Sequence, residues 1–225
     1  MNTRTRLAAL YCLLAIEAST TGTSARAETP QKNAELNNAA LSSALQTYLV
    51  QQGDFCLGKF DWPIDVSAHD ITIHTNNAIQ MPVLEKIGLV SSSDSTAIRK
   101  IDETDTTVPV RRYVLTAEGQ KFYLQKPINS VSPSGEKISH RGDFCAGKLS
   151  LDKVISWSAP HDVGDSQETT INYTYKIAAA DWTHNPQIRK AFPMLDRIVT
   201  GAGTLQLQQR ARLTPSGWTA INLWE

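Results

Sequence analysis

The amino-acid sequence predicts an α+β fold, an N-terminal helix followed by two similar helix-plus-antiparallel-strand lobes from an internal duplication. Three observations carry that expectation. A heptapeptide occurs twice, Gly-Asp-Phe-Cys-Leu-Gly-Lys at Gly53 to Lys59 and Gly-Asp-Phe-Cys-Ala-Gly-Lys at Gly142 to Lys148, with six of seven positions identical. Two shorter matches follow in the same order. Met81 to Ile87 matches Phe192 to Ile198 (apolar, Pro, apolar, Leu, acid, base, Ile), and Leu115 to Gly119 matches Leu213 to Gly217. The apolar spacing also switches between the helical and the strand period along both halves. Collinear self-similarity at three places indicates duplication, and two copies are too few for a solenoid.

At 225 residues, 41% hydrophobic and 20% charged, the chain can bury a sizeable core. Residues 1–27 have the three parts of a secretory signal peptide in the right order. Arg4 and Arg6 are the basic region, Leu7 to Ile16 is an apolar run too short to span a bilayer, and Ala25-Arg26-Ala27 is the cleavage pattern. Cleavage there removes Arg4, Arg6, Arg26 and Glu17 and leaves a slightly acidic chain without the basic footprint of a nucleic-acid or anionic-lipid binder. No later apolar run reaches membrane-spanning length, so no membrane span is expected after cleavage.

Residues 28–52 are expected to be mostly helix, because Leu36, Ala40, Leu41, Ala44, Leu45, Tyr48 and Leu49 form one apolar stripe. Residues 53–126 make the first lobe. There Phe60 to Val66 alternates like a strand with Pro63 marking an edge, and Ile71 to Ile73 is extended. Ile79 to Val90 is a short helix with Pro82 in its first turn. Ala97 to Ile101 and Val108 to Thr116 are strands around the polar tip Asp102 to Thr106, and Gly119 to Gln125 adds a turn of helix. Residues 127–139 are rich in Pro, Gly and Ser, a linker composition. Residues 140–225 make the second lobe. Its strands are Leu149 to Trp157, Thr169 to Ile177, Thr204 to Leu213 and Trp218 to Leu223; His161 to Gln167 is a polar loop and Pro186 to Val199 a helix.

Within the first lobe, Leu84-Glu85-Lys86-Ile87-Gly88-Leu89-Val90, a hairpin, and Arg111 to Gly119 (RRYVLTAEG) resemble the helix, wing and closing strand of winged-helix domains in bacterial regulators. The resemblance covers Ile79 to Tyr123 and implies a winged-helix-like lobe. DNA binding does not follow. Between Asp54 and Gln125 acidic residues outnumber basic ones, and DNA affinity depends on neutralising phosphates. The whole chain resembles exported proteins of Gram-negative bacteria, without an assigned activity, that combine a Phe-Cys-x-Gly-Lys turn, a Tyr-Thr-Tyr-Lys strand (Tyr173 to Lys176) and a terminal Leu-Thr-x-x-Gly-Trp (Leu213 to Trp218). That resemblance implies a periplasmic location.

Export makes a Cys56–Cys145 disulfide the expected state, with free buried thiols as the alternative; two lone cysteines without nearby His are a poor metal site. The repeated Asp54, Lys59, Asp143 and Lys148 are either turn chemistry beside the disulfide or a polar site. Tyr173 and Tyr175 share a strand face and, with Trp182, are either a stacking surface for a ligand or core. No metal or cofactor motif is present; His69, Asp70 and His74 are the nearest approach to a catalytic group. The function expected is that of a non-enzymatic periplasmic binding or interaction protein, with an unknown protein or small-molecule partner in the cell envelope. The alternatives are a small hydrolase or metal-dependent enzyme using His69, Asp70 and His74, and an inhibitor or immunity-type protein.

Overall fold

The computed structural model describes residues 35–132 and 134–222. The expected signal segment and its Ala25-Arg26-Ala27 pattern lie outside them. Helix α1 (Asn38–Gln52) starts where the Asn37 side chain accepts the Ala40 amide at 2.9 Å. Its buried residues Leu41, Ala44, Leu45 and Leu49 form one stripe, and each leucine contributes roughly 1.5–3 kcal/mol by leaving water. Two lysine ammonium groups close its C-terminal end, Lys148 on the Val50 carbonyl at 2.8 Å and Lys126 on the Gln51 carbonyl at 2.7 Å.

After α1 the chain runs through β1 (Asp54–Cys56), β2 (Ile64–Ser67), α2 (Ala68–Thr72), α3 (Asn76–Lys86), β3 (Val90–Ile101), β4 (Thr104–Leu115), α4 (Ala117–Gln120) and β5 (Tyr123–Leu124). It continues through β6 (Ile128–Val131), β7 (Lys137–His140), β8 (Asp143–Trp157), β9 (His161–Val163), β10 (Ser166–Ala179), α5 (Pro186–Ala191), α6 (Pro193–Thr200), β11 (Leu207–Thr214) and β12 (Gly217–Ala220). All the pairings are antiparallel. The largest sheet runs β1-β8-β10-β11-β12, with β5 added to β8 and β9 to β10; a second runs β2-β4-β3, and β6 and β7 form a separate hairpin.

This architecture corrects the expected fold class. The protein is strand-dominated, not a helix-led α+β protein with two similar lobes. Strands from the two expected lobes share one sheet, because β1 pairs with β8. Helix α1 packs on β8, β11 and β12. The matched stretches at residues 81–87 and 192–198 lie mostly in α3 and α6, Ile87 and Phe192 being their flanking residues, but 115–119 leads a strand into α4 whereas 213–217 closes the β11–β12 hairpin. Two apolar clusters hold the unit together. One joins α3 and the small sheet to α5 and α6 through Met81, Leu84, Tyr113, Phe144, Ile188 and Leu195. The other lies between α1 and the large sheet, around Leu45, Tyr175 and Trp218. Where the β10 and β11 ladder runs out, buried Glu168 accepts from Arg210 Nε at 3.1 Å and Arg212 Nε at 3.0 Å.

Several elements differ from the sequence expectation for identifiable reasons. Residues 68–72 are helix, not extended, because Ser67 and Asp70 form a reciprocal capping box that offsets the β-branched pattern of Ile71 and Ile73. Thr75 caps α3, which places Pro82 well inside the helix. Pro193 divides the predicted single helix into α5 and α6. The predicted linker contains the β6–β7 hairpin, and most of the predicted tip of the first hairpin is strand.

Candidate functional site

The two heptapeptides are antiparallel partners. Asp54 lies opposite Lys148, Phe55 opposite Gly147, and Cys56 opposite Cys145, with the ladder shifting register between Phe55 and Cys56. The cysteines are joined, Cys56–Cys145, with Cα atoms 3.7 Å apart. Antiparallel pairing brings the Asp at the head of each copy towards the Lys at the tail of the other. The repeated sequence is therefore complementary to itself.

The two ends of this seam differ in environment. At one, Lys148 Nζ stands 3.8 Å from Asp54 Oδ1 at a half-exposed edge while also capping α1. At the other, Asp143 is 4% exposed and accepts three backbone amides: Lys59 at 2.6 Å, its neighbour Phe144 at 2.7 Å and Gly58 at 3.0 Å. Gly58 reaches that position with φ +67, a conformation glycine adopts without penalty. Lys59 is buried as well, and its ammonium donates to Asn77 Oδ1 at 2.6 Å. Burial pushes the Asp143 carboxyl up, against the amides and the Lys59 charge; burial pulls the Lys59 ammonium down, against Asp143.

A groove of about 860 Å³ opens beside this seam. Gln52 at the end of α1 and the alternate residues Asp54, Cys56, Gly58 and Phe60 after it form one wall; residues from the stretch 124–131 and Lys137 form the other, and Asp143 also lines it. The β6–β7 hairpin is fixed at its base by His140, which stacks on Phe60 at 4.0 Å and lies 3.1 Å from Asp61 Oδ2 through Nδ1. Nearby, the Tyr123 hydroxyl donates to the Phe60 carbonyl at 2.7 Å. The groove thus presents both charge signs, an aromatic ring and strand backbone, a mixture suited to a polar ligand. A more open hollow of about 690 Å³ lies around Cys145 and the end of β10.

The other sequence candidates are placed elsewhere. Tyr173 and Tyr175 are 4% and 0% exposed in the core beneath α1, so they offer no stacking surface. The Tyr175 hydroxyl donates to the Ile198 carbonyl at 2.7 Å. Trp182 packs with Phe122 and Phe144, with ring centroids 5.9 and 5.7 Å away, and its buried Nε1 has no partner among the described residues. His69 and His74 are exposed, and the Asp70 carboxylate is occupied by the Ser67 amide and hydroxyl, bonds that hold its pKa low. Among the described residues no three His, Cys, Asp or Glu side chains come together as a metal site.

Sequence reasoning missed Phe60, Asn77, Lys126, Lys137 and His140. A signal for the last two was present, since Ile128 to Val131 and Lys137 to His140 flank a Pro-Ser-Gly turn. Comparison with family models, with curated proteins and with solved structures returned no match.

Proposed function

We propose that this chain is a non-enzymatic binding protein of the bacterial envelope, exported by the signal in residues 1–27, and that it holds a small polar ligand in the groove beside the heptapeptide seam. The observation that carries the reading is the groove itself. Its volume falls in the range of small-molecule sites, and its walls meet at a disulfide-tied pair of strands. The disulfide favours an oxidising compartment. No described helix is long and apolar enough to cross a membrane. Asp54 and Asp143 on one side and Lys126 and Lys137 on the other suit a zwitterionic or otherwise polar compound better than an apolar one.

Native mass spectrometry of protein purified gently from periplasm tests this reading. The expected spectrum shows a chain shortened at Ala27, an intact disulfide and a bound small molecule that is lost from the Phe60→Ala and Lys137→Ala variants. A ligand retained in both variants, or turnover of a hydrolase substrate abolished by substituting His69 or Asp70, overturns it.

A further inference from the structure

The β3–β4 hairpin extends well past the sheet that supports it. Strand β2 accompanies β4 only from Val110 to Tyr113, while β3 and β4 continue as a two-stranded arm to the pair Ile101 and Thr104. Ile98 near the end of the arm is 72% exposed and Ile101 47%. Isolated two-stranded ribbons are marginal in water, and an arm with exposed isoleucines is a surface to which another strand can add.

The two open edges of the arm are not equivalent. Pro109 lies opposite Thr96 and has no amide to donate, so in the antiparallel alternation this is a non-bonded pair. Proline therefore blocks the distal β4 edge. The same alternation turns the N–H and C=O groups of Ser92, Asp94, Thr96, Ile98 and Lys100 towards the free side of β3. No proline interrupts that side, where the Thr96 carbonyl accepts from Arg112 Nη2 at 3.2 Å.

We propose that this edge pairs with the same edge of a second copy, antiparallel about a twofold axis through Ala97. In that register Asp94 of each copy faces Lys100 of the other, and Thr96 faces Ile98. Charges on an exposed edge normally repel a stray strand. Here the two charges become complementary in both directions, because they lie equally far from Ala97. The small Ala97 side chains meet at the axis, and each Ile98 lies diagonally against its counterpart, covering the most exposed isoleucine of the arm. The paired edges continue β2-β4-β3 into a six-stranded sheet. This surface is separate from the groove, so either reading stands without the other.

Sedimentation equilibrium on the mature, disulfide-bonded chain tests the proposal, together with hydrogen exchange at low and high protein concentration. The expected result is a reversible dimer whose association protects the amides of Asp94, Thr96, Ile98 and Lys100. Asp94→Lys weakens the dimer by about tenfold or more, the effect of placing like charges opposite each other, and Asp94→Lys with Lys100→Asp restores it. All these positions are exposed, so the variants retain the fold, as circular dichroism will verify. Ala97→Cys, oxidised after folding, gives covalent dimers. A chain that stays monomeric at every concentration overturns the proposal, as does a dimer indifferent to both charge variants. Edge protection that arises only on adding envelope extract also overturns it and assigns the edge to a strand of another protein.

Discussion

Burial sets the acid–base behaviour of Tyr173. Enclosed under α1 on the face it shares with Tyr175, its phenol is pushed up to about 12 by desolvation, with smaller contributions from Tyr48 and Tyr175. A folded pKa above the unfolded one means stability that is complete below about pH 10 and is lost as pH rises towards 12. The expected outcome is that one tyrosine ionises only near the top of that window, coincident with alkaline unfolding, and that Tyr173→Phe moves the transition to higher pH. An unchanged alkaline midpoint in Tyr173→Phe, followed by tyrosinate absorbance and circular dichroism together, would assign the effect to another group. The sequence pattern of residues 169–177 located a strand and one aromatic face correctly. Alternation cannot say which side of a sheet the covering helix takes, and that decided core over ligand surface.

At the scale of elements, the arm turns at Asp102 and Glu103, both with positive φ, 47 and 63. Two such residues between the paired Ile101 and Thr104 make a tight hairpin turn in which glycine is the usual second residue. Glu103→Gly is expected to stabilise the protein by about 0.5–1 kcal/mol, since relief of the left-handed strain outweighs the added freedom of the unfolded chain. The exposed Lys100–Glu103 contact at 3.5 Å contributes little that would be lost. Urea unfolding checks this, and a midpoint at or below wild type would count against it. Helix existence was legible from apolar periodicity for α1 and from cap and breaker residues for α3. Helix limits depended on local capping, and Pro193 was a breaker whose effect the apolar spacing concealed.

The Cys56–Cys145 bridge acts on the whole molecule, because it closes a sequence separation of 89 residues. In the chain-entropy account, closing a loop of that length stabilises the folded state by roughly 4–5 kcal/mol. Replacing both cysteines by alanine is expected to lower stability by about that amount, read from denaturant midpoints with and without reductant. Reductant should shift the wild-type midpoint and leave the double variant unchanged. A loss under about 1 kcal/mol would mean that the strand pairing holds the seam without the bridge.

The sequence by itself determined the cysteine pairing, the helix at residues 38–52 and most of the strands, because each depends on local pattern or composition. It also showed that the two heptapeptides belong together. Only the tertiary structure decided what that repetition does. Strand pairing operates between distant segments, and an Asp-to-Lys motif is complementary to its own antiparallel copy. Resemblance between the halves therefore appears as one shared seam within a large sheet, and the groove beside it forms from segments whose proximity no local spacing encodes.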